Sequence, residues 1–126
     1  MALITVPKNA TVFLIEDNPE RIRWFQDRLG IRLLGHTDSP EQAIQTFKSL
    51  GTGYFDLFFF DHDLGGAPYM PPFSTDVAKY LVERDPNVGK RVVIHSLNPS
   101  GAKNLQDIMP GAIWLPFGTF DIKVSE

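Results

Sequence analysis

The sequence predicts a doubly wound α/β domain: a five-stranded parallel sheet of strand order 2-1-3-4-5, helices on both faces, and a final helix that is short or missing. Three observations carry this reading. Short apolar runs alternate about five times with segments of helical period, and Gly, Pro or capping residues separate them, as in βαβ units. The runs are nearly continuous rather than alternating, as strands covered on both faces require. A chain of 126 residues with 43% hydrophobic and 21% charged types builds one core and not two. Residues 1–126 are therefore read as a single domain with its core in about 11–117 and terminal extensions at 1–10 and 118–126.

Thr11 to Ile15 is the first strand, β-branched and apolar, stopping at Glu16-Asp17. Asn18 caps the next segment with Pro19 in its first turn, and Ile22, Phe25 and Leu29 recur at helical spacing before Gly30. Ile31 to Gly35 suits a short second strand. Ser39-Pro40-Glu41-Gln42 is a capping box that opens a helix with Ala43, Ile44, Phe47 and Leu50 on one face, and Gly51 stops it. Tyr54 to Phe60 holds the most apolar run of the chain and ends abruptly in Asp61-His62-Asp63-Leu64-Gly65-Gly66, which makes it the central strand. Residues 64–73 carry two Gly and three Pro; a ten-residue loop in a small domain is a lid candidate. Gly65-Gly66 alone is too weak a signal for a phosphate loop. Ser74 or Thr75 caps a helix through Arg84, Arg91 to Ile94 is the fourth strand, Asn98-Pro99 starts a helix through about Met109, and Ala112 to Leu115 is the fifth strand. Pro116-Phe117-Gly118 and eight further residues leave little room for a last helix.

Composition removes several functions. Twelve Lys+Arg against fifteen Asp+Glu give a net charge of −3, so binding to nucleic acid by bulk phosphate neutralisation is not expected. No cysteine is present, which excludes disulfides, thiolate metal sites and thiol nucleophiles and leaves oxygen or imidazole for any metal. The apolar stretch after Met1 is far too short for a signal or a membrane span, so a cytoplasmic protein without membrane contact is expected. Trp24, Trp114 and the ten Phe residues are read as core, since no basic residues interleave with them as a base-stacking surface needs.

Open parallel sheets bind ligands at the carboxyl ends of their strands, and every unusual polar residue of this chain sits at such an end. Strand one delivers Glu16 and Asp17, strand three Asp61, His62 and Asp63, and strand four His95 and Ser96. Crowded carboxylates raise one another's pKa, and a bound divalent cation is the usual remedy; carboxylates favour Mg²⁺, and added imidazole admits Mn²⁺ or Fe²⁺. Period-two alternation sends Asp61 and Asp63 to one face and His62 to the other, and separates His95 from Ser96, although the rule relaxes past the last ladder bond. Two schemes stay open: an acidic pocket of Glu16, Asp17 and Asp61, or a mixed site that includes His62 and His95. Plainer readings stand beside them. Acids ahead of a helix suit its positive end, Asp61-His62-Asp63 could be a polar turn, His95 alone is more often a structural histidine, Ser96-Leu97-Asn98-Pro99 is most cheaply a helix cap, and His36 reads as surface.

These residues resemble the receiver domains of bacterial response regulators over about 11–117, a flavodoxin-like fold. Val12-Phe13-Leu14-Ile15-Glu16-Asp17 is similar to their first strand and acidic pair, Phe58-Phe59-Phe60-Asp61 to the strand ending in their phosphoacceptor aspartate, and Val92-Val93-Ile94-His95-Ser96 puts Ser96 at their switch hydroxyl. The chain departs from them in having no lysine before Pro116-Phe117, in Asp-His-Asp-Leu-Gly-Gly at 61–66, in His-Ser-Leu-Asn at 95–98 and in lacking most of the last helix. The departures resemble a receiver offshoot, the cyclic-phosphate-processing receiver-like family. That resemblance implies metal-dependent handling of a cyclic or terminal phosphate: Glu16, Asp17 and Asp61 hold a divalent cation (Mg²⁺ or Mn²⁺), Asp61, His62, Asp63 and His95 supply catalytic groups, and Ser96 and Asn98 hold phosphate oxygens. Such chemistry needs a cation on the phosphoryl oxygens and a proton donor for the leaving alkoxide, which an imidazole can be at neutral pH.

The leading expectation is thus a metal-dependent domain that binds or hydrolyses a phosphoester, its partner a phosphate-bearing small molecule or the end of an RNA or nucleotide. The alternatives are a signalling module phosphorylated on Asp61 and an interaction module that keeps only the fold. The absent last helix leaves one face of strands four and five uncovered, to be filled by residues 118–126, by Ala2 to Val6, or by a second subunit in a homodimer.

Overall fold

The computed structural model describes residues 1–65 and 71–126, which form a main parallel sheet, four α-helices and a second, two-stranded sheet. In chain order the elements are β1 (Ala2–Val6), β2 (Val12–Ile15), α1 (Pro19–Leu29), β3 (Leu33–Thr37), α2 (Pro40–Leu50), β4 (Leu57–Phe60), α3 (Thr75–Arg84), β5 (Val92–Ile94), α4 (Pro99–Ile108), β6 (Ile113–Trp114) and β7 (Phe120–Val124). The main sheet runs β3-β2-β4-β5-β6, all parallel, which is the expected 2-1-3-4-5 order counted over its five strands. Among the described residues no helix is long and apolar enough to cross a membrane. Residues 66–70 of the expected lid, with Gly66 of the glycine pair, lie outside the described residues; the base of that loop is pinned by an Asp63–Phe73 bridge and by Leu64 N–H donating to Pro72 O.

The cap signals act as read at three of the four helices; Ser74, at the start of α3, makes no side-chain capping bond because its hydroxyl donates to Asp61 O. Asn18 Oδ1 accepts from the N–H groups of Glu20 and Arg21, Ser39 Oγ from that of Gln42, and Asn98 Oδ1 from that of Gly101, so α1, α2 and α4 each start on a side-chain cap followed by Pro. Strand starts differ by one to three residues, because tight 3₁₀ turns at Gly30–Arg32, Thr52–Tyr54 and Val88–Arg91 use the first residues of three expected strands.

Alternation along the strands divides the aromatic load. Leu14, Phe59 and Val93 face α1, where Phe25, Phe120 and Ile122 join them. Phe13, Phe58, Phe60 and Ile94 face α2, α3 and α4 and pack with Phe47, Phe55 and Leu105. On the α1 side, β1 and β7 pair in parallel from Ala2–Phe120 to Val6–Val124. They take the place of the missing helix: Phe120 lies stacked on Phe59 at 6.3 Å and edge-on to Trp24 at 5.6 Å. Both terminal segments thus cover the face that the sequence left open.

Candidate functional site

Register builds the site. Ile15 pairs with Phe60 and Phe60 with Ile94, so Glu16, Asp61 and His95 are the next residues on three adjacent strands and share a face. Backbone bonds carry the ladder one step further: Asp61 N–H donates to Ile15 O and His95 N–H to Phe60 O, both at 2.9 Å. The three side chains place two carboxylate oxygens and an imidazole nitrogen within 4.8 Å of one another, among residues that are 0%, 5% and 0% exposed respectively.

Each member is fixed by named partners. Glu16 Oε2 accepts from the N–H groups of Asp17 and Asn18 at 3.0 and 3.1 Å, which favours the ionised form. Its Oε1 lies 2.8 Å from His95 Nε2. The His95 ring sits 5.1 Å from that of Phe25, and burial pushes its pKa down to about 4, so the imidazole is neutral and donates from Nε2 to Glu16. Nδ1 has no hydrogen-bond partner among the described residues. Asp61 Oδ1 accepts from His62 N–H at 2.9 Å. Burial, and next the charge of Glu16, push the Asp61 pKa up to about 7, and burial raises that of Glu16 as well. Arg21 stands over both: one guanidinium nitrogen is 3.8 Å from Glu16 Oε1 and 3.9 Å from Asp61 Oδ2, and the group lies 5.2 Å from the centre of the Phe117 ring.

A second group occupies the opposite face. His62 Nδ1 is 3.0 Å from Asp63 Oδ1, Asn98 Nδ2 donates to Asp63 Oδ2 at 3.1 Å, and the His62 ring stacks on Phe73 at 4.9 Å. Gly101, near the start of α4, is what admits the ring: a Cβ there would come within 2.4 Å of it. Ser96 Oγ accepts from Asn98 N–H, and its carbonyl from the Trp114 indole N–H at 2.8 Å. Ser74 Oγ donates to Asp61 O, which ties α3 to the same segment.

The structure therefore brings together Glu16, Asp61 and His95, combining part of each sequence scheme. Asp17 is half-exposed and outside this set, with Asp63 on the His62 side. Ser96 and Asn98 are engaged in the α4 cap, and Asn98 has both ends of its amide in use. His36 is exposed and lines, with Glu16, Ile22, Thr37, Asp38 and Gln42, a cleft of about 270 Å³ beside the site. Sequence reasoning missed Arg21. Its signal was legible: a cation in the first turn of a helix opposes the macrodipole, and directly after Glu16-Asp17 it has an electrostatic reason to be there.

Residues 16–110 match the family model of the cyclic-phosphate processing receiver domain. Among curated proteins, no sequence matches the chain. Solved structures with a similar fold include a response regulator receiver protein from Sinorhizobium medicae, 24% identical over 88% of this chain and 84% of that one, with a TM-score of 0.63. The signal receiver domain of a modulated diguanylate cyclase from Desulfovibrio desulfuricans is 16% identical over 87% of this chain and 82% of that one, also at 0.63. The isolated REC domain of RcsB from Salmonella enterica serovar Typhimurium, solved with the phosphomimetic BeF3-, is 16% identical over 87% and 78%, at 0.58.

Proposed function

Because the chain belongs to the family of cyclic-phosphate processing receiver domains, we propose that it binds, and in the presence of a divalent cation hydrolyses, a phosphoester at the carboxyl edge of its sheet. The observation that carries this reading is the buried pair Glu16 and Asp61, two carboxylates that three adjacent strands and His95 hold together, with Arg21 the one cationic side chain among the described residues within 4.0 Å to offset their charge. The donor set fits Mg²⁺ or Mn²⁺, because hard oxygen ligands under mutual repulsion are what such cations relieve. Glu16 and Asp61 would hold the ion. When bound there, it would neutralise phosphoryl oxygens and favour a water-derived nucleophile. His95 acts as a positioning residue: ligation through Nε2 would move its proton to Nδ1, which has no acceptor, so its fitting role is to hold Glu16 from behind. For turnover, His62 is the proposed proton donor to the leaving alkoxide, its ring oriented by Asp63. The segment 61–64 joins the two groups.

The test is incubation with Mn²⁺ or Mg²⁺ and 2′,3′-cyclic nucleotides. Turnover lost in Asp61→Ala, and lost in His62→Gln with cation binding retained, is the expected result; turnover indifferent to both substitutions would refute it. A second reading, phosphorylation of Asp61, is favoured by the position of Asp61 at the end of the central strand and by the RcsB relative described with BeF3-. Mg²⁺-dependent beryllofluoride binding that shifts the Ser96 amide, with no turnover of any cyclic nucleotide, would select it.

A further inference from the structure

At the carboxyl edge of the α1 face stands a charged donor, Arg21, that the proposed reaction has not used. Arg21 has a side chain 23% exposed, and among the described residues its guanidinium donates no hydrogen bond: its contacts to Glu16 and Asp61, at 3.8 and 3.9 Å, are ion pairs beyond hydrogen-bond length. The Phe117 ring at 5.2 Å limits where the planar group can lie. Three other polar side chains at this edge are neutral and already share in the helix starts. Asn18 and Asn98 cap the N-termini of α1 and α4, and Ser96 Oγ accepts from the Asn98 N–H. Among the described residues no other Lys or Arg comes within 4.0 Å of Glu16 or Asp61.

We propose that Arg21 is the specificity residue that makes the ligand a phosphate anion, serving as internal counter-cation to Glu16 and Asp61 until a divalent cation takes those carboxylates and frees its guanidinium fork for phosphate oxygens. A planar fork of five N–H donors matches a phosphate, and one fixed on α1 beside the carboxylates puts the anion next to the cation they hold. Cation and anion then bind with positive coupling, because each removes the charge that opposes the other. This inference rests on the cation reading above and adds to it the residue that selects the anion.

An NMR titration of the full chain with Mg²⁺ and then inorganic phosphate separates the two. In the wild type, Mg²⁺ shifts the amides around Glu16 and Asp61, and phosphate then shifts the Arg21 Nε–Hε resonance. In Arg21→Met, which keeps the aliphatic stem, phosphate affinity at saturating Mg²⁺ falls about tenfold or more, the loss of a charge-assisted contact, while Mg²⁺ affinity without phosphate rises several-fold. Arg21→Lys, which keeps the charge and loses the fork, falls in between. Phosphate affinity unchanged in Arg21→Met overturns the assignment and leaves the cation reading standing. Should Arg21→Met fail to fold, Arg21→Lys decides by the same measure, an unchanged phosphate affinity again overturning it. A wild type that ignores Mg²⁺ overturns both.

Discussion

On the α1 face of the sheet edge, two buried carboxylates share one neutral imidazole and one arginine held beyond hydrogen-bond distance, and the Asp61 pKa is driven up to about 7. On the α4 face, His62, Asp63 and Asn98 form a chain of side-chain hydrogen bonds at 3.0 and 3.1 Å that ends in a helix cap. Both groups come from the same strand ends. The difference is that the first sets two buried carboxylates against each other, and the second pairs the His62 ring with Asp63 and Asn98 and so fixes the orientation of the proposed proton donor.

Removing His95 has the largest expected effect on the first face. His95→Ala empties a fully buried position beside Phe25 and takes from Glu16 Oε1 its 2.8 Å donor, for a loss of roughly 3–5 kcal/mol in chemical denaturation at pH 7. His95→Phe refills the space without restoring the donor. If it recovers full stability, the Glu16 contact contributes nothing and the comparison between the faces fails.

Asp61→Asn is expected to act in the opposite direction. The folded-state pKa of Asp61 is raised from 3.8 to about 7, so the folded chain holds that proton while the unfolded chain has lost it, and stability declines as pH rises through this window. At pH 8 in cation-free buffer the wild type carries the whole penalty, with a ceiling of about 4 kcal/mol, and Asp61→Asn should melt higher. His95 has the reverse sign. Its folded pKa is lowered from 6.5 to about 4, so its contribution is complete above pH 6.5 and is lost as pH falls toward 4. In the wild type the two slopes oppose each other between about pH 4 and 6.5. Asp61→Asn removes the Asp61 slope, so its stability should rise more steeply with pH across that interval than that of the wild type, and an unchanged slope would show that Asp61 does not hold its proton there. Added Mg²⁺ should raise the melting temperature of the wild type and not that of Asp61→Asn.

The main sheet was legible because five apolar runs and three Asn/Ser-Pro starts are local signals that agree with the global order. Register was the hidden quantity. Whether His95 joins Glu16 and Asp61 depends on Ile15, Phe60 and Ile94 being level, and no single strand contains that information. Once they are level, alternation alone selects His95. The β1–β7 pair was illegible for a related reason: Ala2–Val6 and Phe120–Val124 are short, and their partnership joins the two ends of the chain. Arg21 could have been found from its helix position; its stacking near Phe117 could not, because that contact spans most of the sequence.

On the α4 face, Gly101→Ala should be the most damaging change. A Cβ would meet the His62 ring at 2.4 Å, and forcing the ring from its stack on Phe73 should destabilise the fold by about 1–3 kcal/mol. The cation-induced shifts at Glu16 and Asp61 should survive it, since the first face does not rest on this ring. Loss of those shifts together with His62 order, read in one NMR spectrum, would make the two faces one unit.

Asn98 offers the finest division. It does two jobs with one amide: Oδ1 caps α4 at Gly101 N–H, and Nδ2 donates to Asp63. Asn98→Ser keeps a capping oxygen and loses the reach to Asp63, while Asn98→Ala loses both. The cap is worth about 1 kcal/mol and the partly buried amide–carboxylate bond a similar amount, so Asn98→Ala should cost about twice as much as Asn98→Ser in urea denaturation. Asn98→Asp keeps the cap and favours the helix dipole but sets a second carboxylate against Asp63. It should be less stable than Asn98→Ser at pH 7, and the gap should close as the pH falls and the carboxylates protonate. A stability order that places Asn98→Asp above Asn98→Ser at pH 7 would mean that Asp63 is not held to α4 by this bond.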